Sequence, residues 1–142
     1  AEKEQQLELY TQALHLSPDC RSQQEIRTVA EDNANLTCYN DIYVSQQAPR
    51  SDARLNNKNL LLSENAKINT KPGLEIYHDD VKCAHGATIG ALDEAALFYL
   101  QSRGVALQRA KLMLQHAFVE ELLQAVSVEV IRGFILSKLP SC

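Results

Sequence analysis

The sequence lacks a long apolar run, an excess of basic charge and a regular cysteine pattern. No apolar run reaches the roughly 18 residues that a membrane-spanning helix needs, and the polar start A-E-K-E-Q-Q-L-E does not fit a signal peptide. The formal net charge of -4 argues against a nucleic-acid surface, which needs a cluster of Lys and Arg. We therefore expect a soluble, cytoplasmic protein that binds neither membranes nor nucleic acids.

The four cysteines do not fit the disulfide framework of a small secreted protein. Cys20, Cys38, Cys83 and Cys142 are unevenly spaced, and none belongs to a C-x-x-C pair. Because a cytosolic compartment keeps thiols reduced, we expect free cysteines. Of these, Cys38 has the spacing of a buried strand residue, Cys20 is expected to be a small buried thiol, and Cys142 is expected to be exposed at the terminus.

Motifs of common enzyme classes are also missing. The chain contains no G-x-S-x-G, H-E-x-x-H or G-x-x-x-x-G-K-[ST] sequence, so it encodes no phosphate loop for ATP hydrolysis. Cys83 and His85 could be a nucleophile and its base, but side chains on a common strand face seldom place the imidazole to take the thiol proton. We expect that the chain is not an enzyme.

The sequence changes its periodicity near residue 92. Before this point, short pairs of apolar residues at i and i+2 indicate strands, and polar clusters such as E-D-N, N-N-K-N and T-K-P-G separate them. We interpret Lys71, Pro72 and Gly73 as a turn. Short, regular strands are typical of a sandwich, a barrel or a solenoid. The short segments, and an Asn cluster that tolerates a left-handed backbone at tight corners (Asn56, Asn57 and Asn59), favour a solenoid.

After residue 92 the apolar spacing is helical. Asp93 is a good N-cap and Gly104 a good C′ residue, which predicts one helix between them. A second helix is predicted from Leu107 to Leu122, and a third from Val128 to about Lys138 with Ser127 as its N-cap. We therefore predict a mainly β protein with a C-terminal α part, divided into residues 1–91 and 92–142.

One short stretch, V-K-C-A-H-G at residues 81–86, combines a thiol and an imidazole. Cys83 and His85 lie at i and i+2, so on a strand they point to the same face, and both side chains bind iron and zinc. Two ligands do not complete a tetrahedral site, so spacing alone favours a packed Cys with a hydrogen-bonded His over a ligand pair. His78 with Asp79 and Asp80 could bind a cation, although a solvated turn explains Y-H-D-D more simply.

The residues from Leu60 to Val105 resemble a known family. The stretches L-L-L-S-E-N-A-K-I-N-T-K-P-G-L-E-I-Y-H-D-D-V-K-C-A-H-G-A-T-I-G and L-D-E-A-A-L-F-Y-L-Q-S-R-G-V are similar to the C-terminal part of the SufB/SufD family of iron–sulfur cluster assembly scaffolds. K-C-A-H-G-A-T-I-G follows the SufD branch, whereas SufB has an E-H-E-type sequence at that place. Upstream, H-L-S-P-D-C-R-S-Q-Q and A-P-R-S-D-A-R-L-N-N-K-N also resemble family segments.

The resemblance implies a fold and a role. It implies a right-handed parallel β-helix, cut within its coil, with the last rungs in residues 1–91 and a helical domain in 92–142. It further implies a part in the SUF assembly complex, in which the chain pairs with SufB through the β-helix and with the SufC ATPase through the helices. A homodimer of the chain is the alternative pairing.

The resemblance also suggests ligands for the cluster. His85 first, and Cys83 second, are implied to bind a nascent iron–sulfur cluster that is held transiently and shared with SufB, with none bound tightly by this chain alone. Two other functions stay open at this point. The chain could be an interaction module that only holds SufC, or a protein that binds zinc or iron by itself.

Overall fold

The computed structural model describes residues 1–124 and 126–138, which form six strands and three helices. Each strand has ten residues. The strands are β1 Gln6–His15, β2 Arg21–Ala30, β3 Asn35–Val44, β4 Asp52–Leu61, β5 Lys67–Ile76 and β6 Lys82–Ala91, and the helices are α1 Glu94–Ser102, α2 Leu107–Leu123 and α3 Glu129–Leu136. The chain divides into two compact units, Ala1–Gly90 and Ala91–Cys142.

Consecutive strands lie in different sheets. The odd-numbered strands form a sheet in the order β1-β3-β5, and the even-numbered strands form a second sheet in the order β2-β4-β6. The pairs β1 with β3, β3 with β5 and β2 with β4 are parallel and keep an unshifted register over all ten residues. The first unit is therefore mainly β with parallel sheets, which is compatible with a β-helix and differs from an antiparallel sandwich.

Three details of the sequence-based strand assignment are wrong. The strands are longer than predicted, and Asn57 and Asn59 lie buried within β4 instead of at a corner. Pro72 and Gly73 lie inside β5 instead of in a turn. β5 is an edge strand of its sheet within the described residues, and an edge strand tolerates a proline because half of its N–H groups have no strand to pair with.

The corners use other residues in the left-handed region. Lys3, Asp19, Asp32 and Arg50 have φ between 57° and 60°. Asp19 lies between β1 and β2, Arg50 lies between β3 and β4, and the Arg50 guanidinium donates two hydrogen bonds of 2.7 Å to the Asp19 carboxylate. This ion pair holds the pKa of Asp19 below its usual value. The short polar side chains of Asp19 and Asp32 tolerate the left-handed backbone at lower cost than branched ones, an explanation that does not extend to Lys3 and Arg50.

The interior of the first unit contains two apolar clusters. One consists of Ala30, Ala34, Leu36, Cys38, Ala66 and Ile68, and the other of Ile42, Val44, Ala48, Ala53 and Leu55. The prediction that Cys38 is a core residue is confirmed, because its side chain is fully buried. Burial also raises the pKa of the Cys38 thiol, which keeps it protonated.

Buried polar side chains are hydrogen-bonded to one another in the same interior. Asn57 Nδ2 donates to Asn40 Oδ1 at 2.8 Å, and Asn40 Nδ2 donates to Thr11 Oγ1 at 2.9 Å. Each of these three side chains comes from a different strand, β4, β3 or β1. These hydrogen bonds between strands of both sheets offset part of the cost of burying the two amides, although the buried Asn57 Oδ1 has no hydrogen-bond partner among the described residues.

The second unit agrees with most of the helical pattern. Asp93 caps α1, since its Oδ1 accepts from the N–H groups of Ala95 and Ala96 at 2.8 and 3.3 Å. Gly104 follows α1 with φ of 85°, as a C′ glycine should. The predicted Ser127 cap is wrong, because α3 begins after Val128 and has no side-chain cap. The predicted end at about Lys138 lies two residues beyond the observed end of α3 at Leu136.

Replacing Asp93 by Ala is expected to destabilise α1 by about 1 kcal/mol, because two N–H groups at its first turn lose their acceptor. Amide hydrogen exchange in α1 measures the change, with the uncapped helix α3 as an internal control. An Asp93→Asn variant keeps an acceptor oxygen and should exchange close to the wild-type rate. Equal exchange in the Asp93→Ala and wild-type proteins would contradict the capping role.

No helix among the described residues is both long and apolar enough to cross a membrane.

Candidate metal-ligand site

Cys83 and His85 both lie on β6, the last strand of the β2-β4-β6 sheet. Side chains alternate between the two faces of a strand, so these two residues share one face. The backbone of Lys82 donates to the carbonyl of Ser51 at 2.8 Å, just as Asp52 donates to Cys20 at 2.9 Å one pair of strands earlier. The sheet therefore continues into the strand that carries the candidate ligands.

The Cys83 side chain faces the interior. It is half-buried and packs against the cluster that contains Ile42, Ala53 and Leu55. Burial raises the pKa of the Cys83 thiol, and a hydrogen bond from the Ala53 backbone opposes this rise. The thiol therefore stays protonated at neutral pH, and a metal ion that binds it must displace a proton.

His85 lies in a different environment although it shares the face of Cys83. Its side chain is exposed, as are those of every β6 residue from Ala84 to Ala91. An exposed imidazole can bind a metal ion that approaches from outside the chain. The pair therefore consists of one anchored thiol and one accessible ring.

A small cavity of about 220 Å³ opens beside the thiol. It is lined by Asp52, Arg54, Lys82, Cys83 and Ala84. Arg54 is bound to the Asp52 carboxylate at 3.1 Å, and this contact is the main reason why the pKa of Asp52 is lowered. The cavity gives a small ion or molecule a route to Cys83 from the solvent.

The described residues supply no third ligand. Across residues 1–124 and 126–138, no group of three or more His, Cys, Asp or Glu side chains could hold a metal ion. His78 has a local structural contact, since its Nδ1 accepts a hydrogen bond of 3.0 Å from the Asp80 backbone. Cys20 is half-buried just before β2, and Cys142 lies outside the described residues.

Sequence reasoning missed the residues that hold β6 in place. Val81 and Cys83 pack on the interior cluster, and the buried Asn59 side chain donates to the Thr88 carbonyl at 2.9 Å. The odd-numbered residues from Ala53 to Asn59 are all buried, so Asn57 and Asn59 continue the inward alternation of Ala53 and Leu55. This alternation of odd-numbered and even-numbered positions can be read from the sequence, and it predicts that both amides lie inside.

Comparison with known proteins assigns the chain to a family. The family model described as "SUF system FeS cluster assembly, SufBD core domain" matches residues 1–118. The chain belongs to this SufBD core family. The match covers all six strands, α1 and most of α2, including both candidate ligands, whereas α3 lies beyond it.

Individual relatives agree with the family assignment. The iron-sulfur cluster assembly protein SufD of Escherichia coli is 41% identical over 120 residues, which is 84% of this chain and 28% of the relative. The iron-sulfur cluster assembly SufBD family protein slr0076 of Synechocystis is 38% identical over 107 residues, which is 75% of this chain and 24% of the relative. The chain thus spans about a quarter of the length of these SufBD relatives.

Proposed function

We propose that this chain takes part in iron–sulfur cluster assembly within a SUF complex, where His85 and Cys83 supply half of a ligand set that another subunit completes. The observation that carries the proposal is the placement of a thiol and an exposed imidazole on one face of the last strand, without a third ligand in the described residues. The family and the name of its E. coli relative supply the context of cluster assembly.

The chemistry of the two side chains suits this cargo. Cluster iron is held by thiolates, and imidazole replaces thiolate at some iron sites. A four-ligand cluster needs more donors than this pair offers, so a second chain has to contribute the rest. A weak, shared site also suits a scaffold, because the cluster must leave it for a recipient protein.

The finer fold proposed for the first unit is a right-handed parallel β-helix. Its support is the alternation of strands between two parallel sheets with unshifted register. The crossover connection between two parallel strands of one sheet is right-handed in about 98% of known cases. The helices of residues 92–142 then form a separate C-terminal part.

The partners proposed are those that the family resemblance implies, and exposed surfaces of the two units support them. β6 leaves one side of its backbone for a strand of SufB, which would bring further ligands next to His85. The helical unit exposes Phe98 and Tyr99 on α1 and Val130 and Phe134 on α3, and such apolar side chains are suited to contact the SufC ATPase. In this proposal the chain is a scaffold subunit without a catalytic residue, and its cytoplasmic location stays a prediction of the sequence.

An interaction module is the second candidate function. The same exposed apolar side chains on the helices would serve a protein that only holds SufC, with Cys83 and His85 in structural roles. The two candidates differ in whether the chain touches the cluster. They are therefore separated by reconstitution and not by a binding assay.

The test is anaerobic reconstitution with iron and sulfide, using the full-length protein with and without SufB. We expect visible absorbance from a cluster only when both subunits are present, at a yield above that of SufB alone. An equal yield from SufB alone would contradict the shared site. Stoichiometric iron bound by the full-length protein without SufB would contradict it as well, and would indicate a site within one chain.

A further inference from the structure

The distal half of β6 pairs with β4 through its backbone, but its side chains contribute little to holding it in place. Its proximal end is anchored, since Val81 and Cys83 pack on the interior cluster. From Ala84 to Ala91 every side chain is exposed, so burial contributes little to the position of this part. An edge strand with exposed side chains opens more readily than a central strand.

A buried side chain from β4 reaches this half of the strand. Asn59 Nδ2 donates a hydrogen bond of 2.9 Å to the carbonyl oxygen of Thr88, and the Asn59 side chain is 3% exposed. Thr88 lies three residues beyond His85 on the same strand. The hydrogen bond therefore ties the exposed half of β6 to the interior close to the imidazole.

The Asn59 amide is itself held firmly. Its Oδ1 accepts a hydrogen bond from Thr28 Oγ1 on β2, and its Nδ2 also contacts the carbonyl of Asn57 at 3.3 Å. Thr28 and Asn59 are directly paired in the β2–β4 register. The amide thus connects β2, β4 and β6, the three strands of one sheet, from the inside.

We propose that Asn59 is a positioning residue that fixes the distal half of β6 and, through it, the exposed His85 imidazole. The inference rests on the proposed ligand role of His85. A scaffold that shares a cluster between two chains has to present its half of the ligands in a defined place, because misplaced ligands lose much of their affinity. Cys83 meets this need by packing, and Asn59 meets it for His85 by a hydrogen bond.

The test replaces Asn59 by Leu in the full-length protein. The variant keeps a side chain of similar volume but removes the donor to Thr88, so we expect the amides from Gly86 to Gly90 to exchange about tenfold faster. The NMR signals of the His85 ring should shift or broaden. Alkylation of Cys83 should stay at its wild-type rate, because packing and not Asn59 holds that end of the strand.

Thr28→Val is the matched control. It removes the hydrogen bond that Asn59 Oδ1 accepts while the donor to Thr88 remains, so exchange in β6 should stay near the wild-type rate. If Asn59→Leu does not fold, Asn59→Ser is the second variant, since its short hydroxyl cannot replace the amide that spans β4 and β6. It should loosen the same amides.

Two outcomes would overturn the positioning role. One is wild-type exchange in β6 of a folded Asn59 variant. The other is Cys83 alkylation that rises in parallel with amide exchange, which would mean a general loss of stability. Neither readout depends on the cluster, so a His85→Ala variant with normal cluster assembly would remove the ligand role while leaving the exchange result intact.

Discussion

Replacing His85 by Ala is expected to lower the yield of cluster assembled with SufB by at least about tenfold, since loss of even an outer-shell partner costs a metal site roughly 10- to 100-fold in affinity. The imidazole is the accessible half of the pair, and its removal leaves Cys83 as the only ligand that β6 offers. The measurement is cluster absorbance after anaerobic reconstitution of the full-length subunits.

The fold should not change in this variant. Replacing an exposed side chain such as His85 changes the free energy of unfolding by no more than about 0.5 kcal/mol. His78→Asn is the matched control, because it removes another imidazole of the same unit and keeps an acceptor for the Asp80 N–H. Full cluster yield from the His85→Ala variant would leave the chain as an interaction module.

The change from strands to helices was readable because its signals are local. Asp93 caps the helix that directly follows it, and Gly104 takes a positive φ directly after the same helix. A cap needs only three or four consecutive residues to act, so the sequence contains the complete interaction. The prediction of Ser127 as a cap is wrong because Val128, one residue later, occupies the N-cap position of α3.

The interior of the first unit was harder to predict, because its polar residues depend on distant partners. Asn40 and Asn57 are buried together, and Asn57 Nδ2 donates a hydrogen bond to Asn40 Oδ1 across the two sheets. Taken alone, each Asn suggests a turn, and the N-N-K-N cluster therefore broke β4 into shorter pieces. Pro72 was assigned to a turn for the same reason. A proline is acceptable within β5 only because this strand lies at the edge of its sheet.

The candidate site shows the same limit. Residue spacing placed Cys83 and His85 on one strand face, and the family resemblance marked them as ligands. The different exposure of the two side chains follows from what covers each of them, and the cluster around Ile42 covers only Cys83. No pattern within V-K-C-A-H-G contains that information.

Replacing Ile42 by Ala is expected to destabilise the first unit by about 2 to 5 kcal/mol. Ile42 is fully buried, lies on the central strand of its sheet, and belongs to the cluster on which Cys83 packs. The change removes the transfer energy of three carbons and leaves a cavity between two sheets that cannot close freely. Urea unfolding followed by circular dichroism measures the loss.

The neighbouring exposed residue is the control, because Asp41→Ala changes β3 without touching the cluster and should cost less than about 0.5 kcal/mol. A cavity beside Cys83 should also speed alkylation of its thiol, while the imidazole of His85, which lies outside the cluster, keeps its NMR signals. A loss below about 1 kcal/mol for Ile42→Ala would contradict this core. The two halves of the candidate site thus depend on different contacts, and the Ile42 and Asn59 variants should disturb them one at a time.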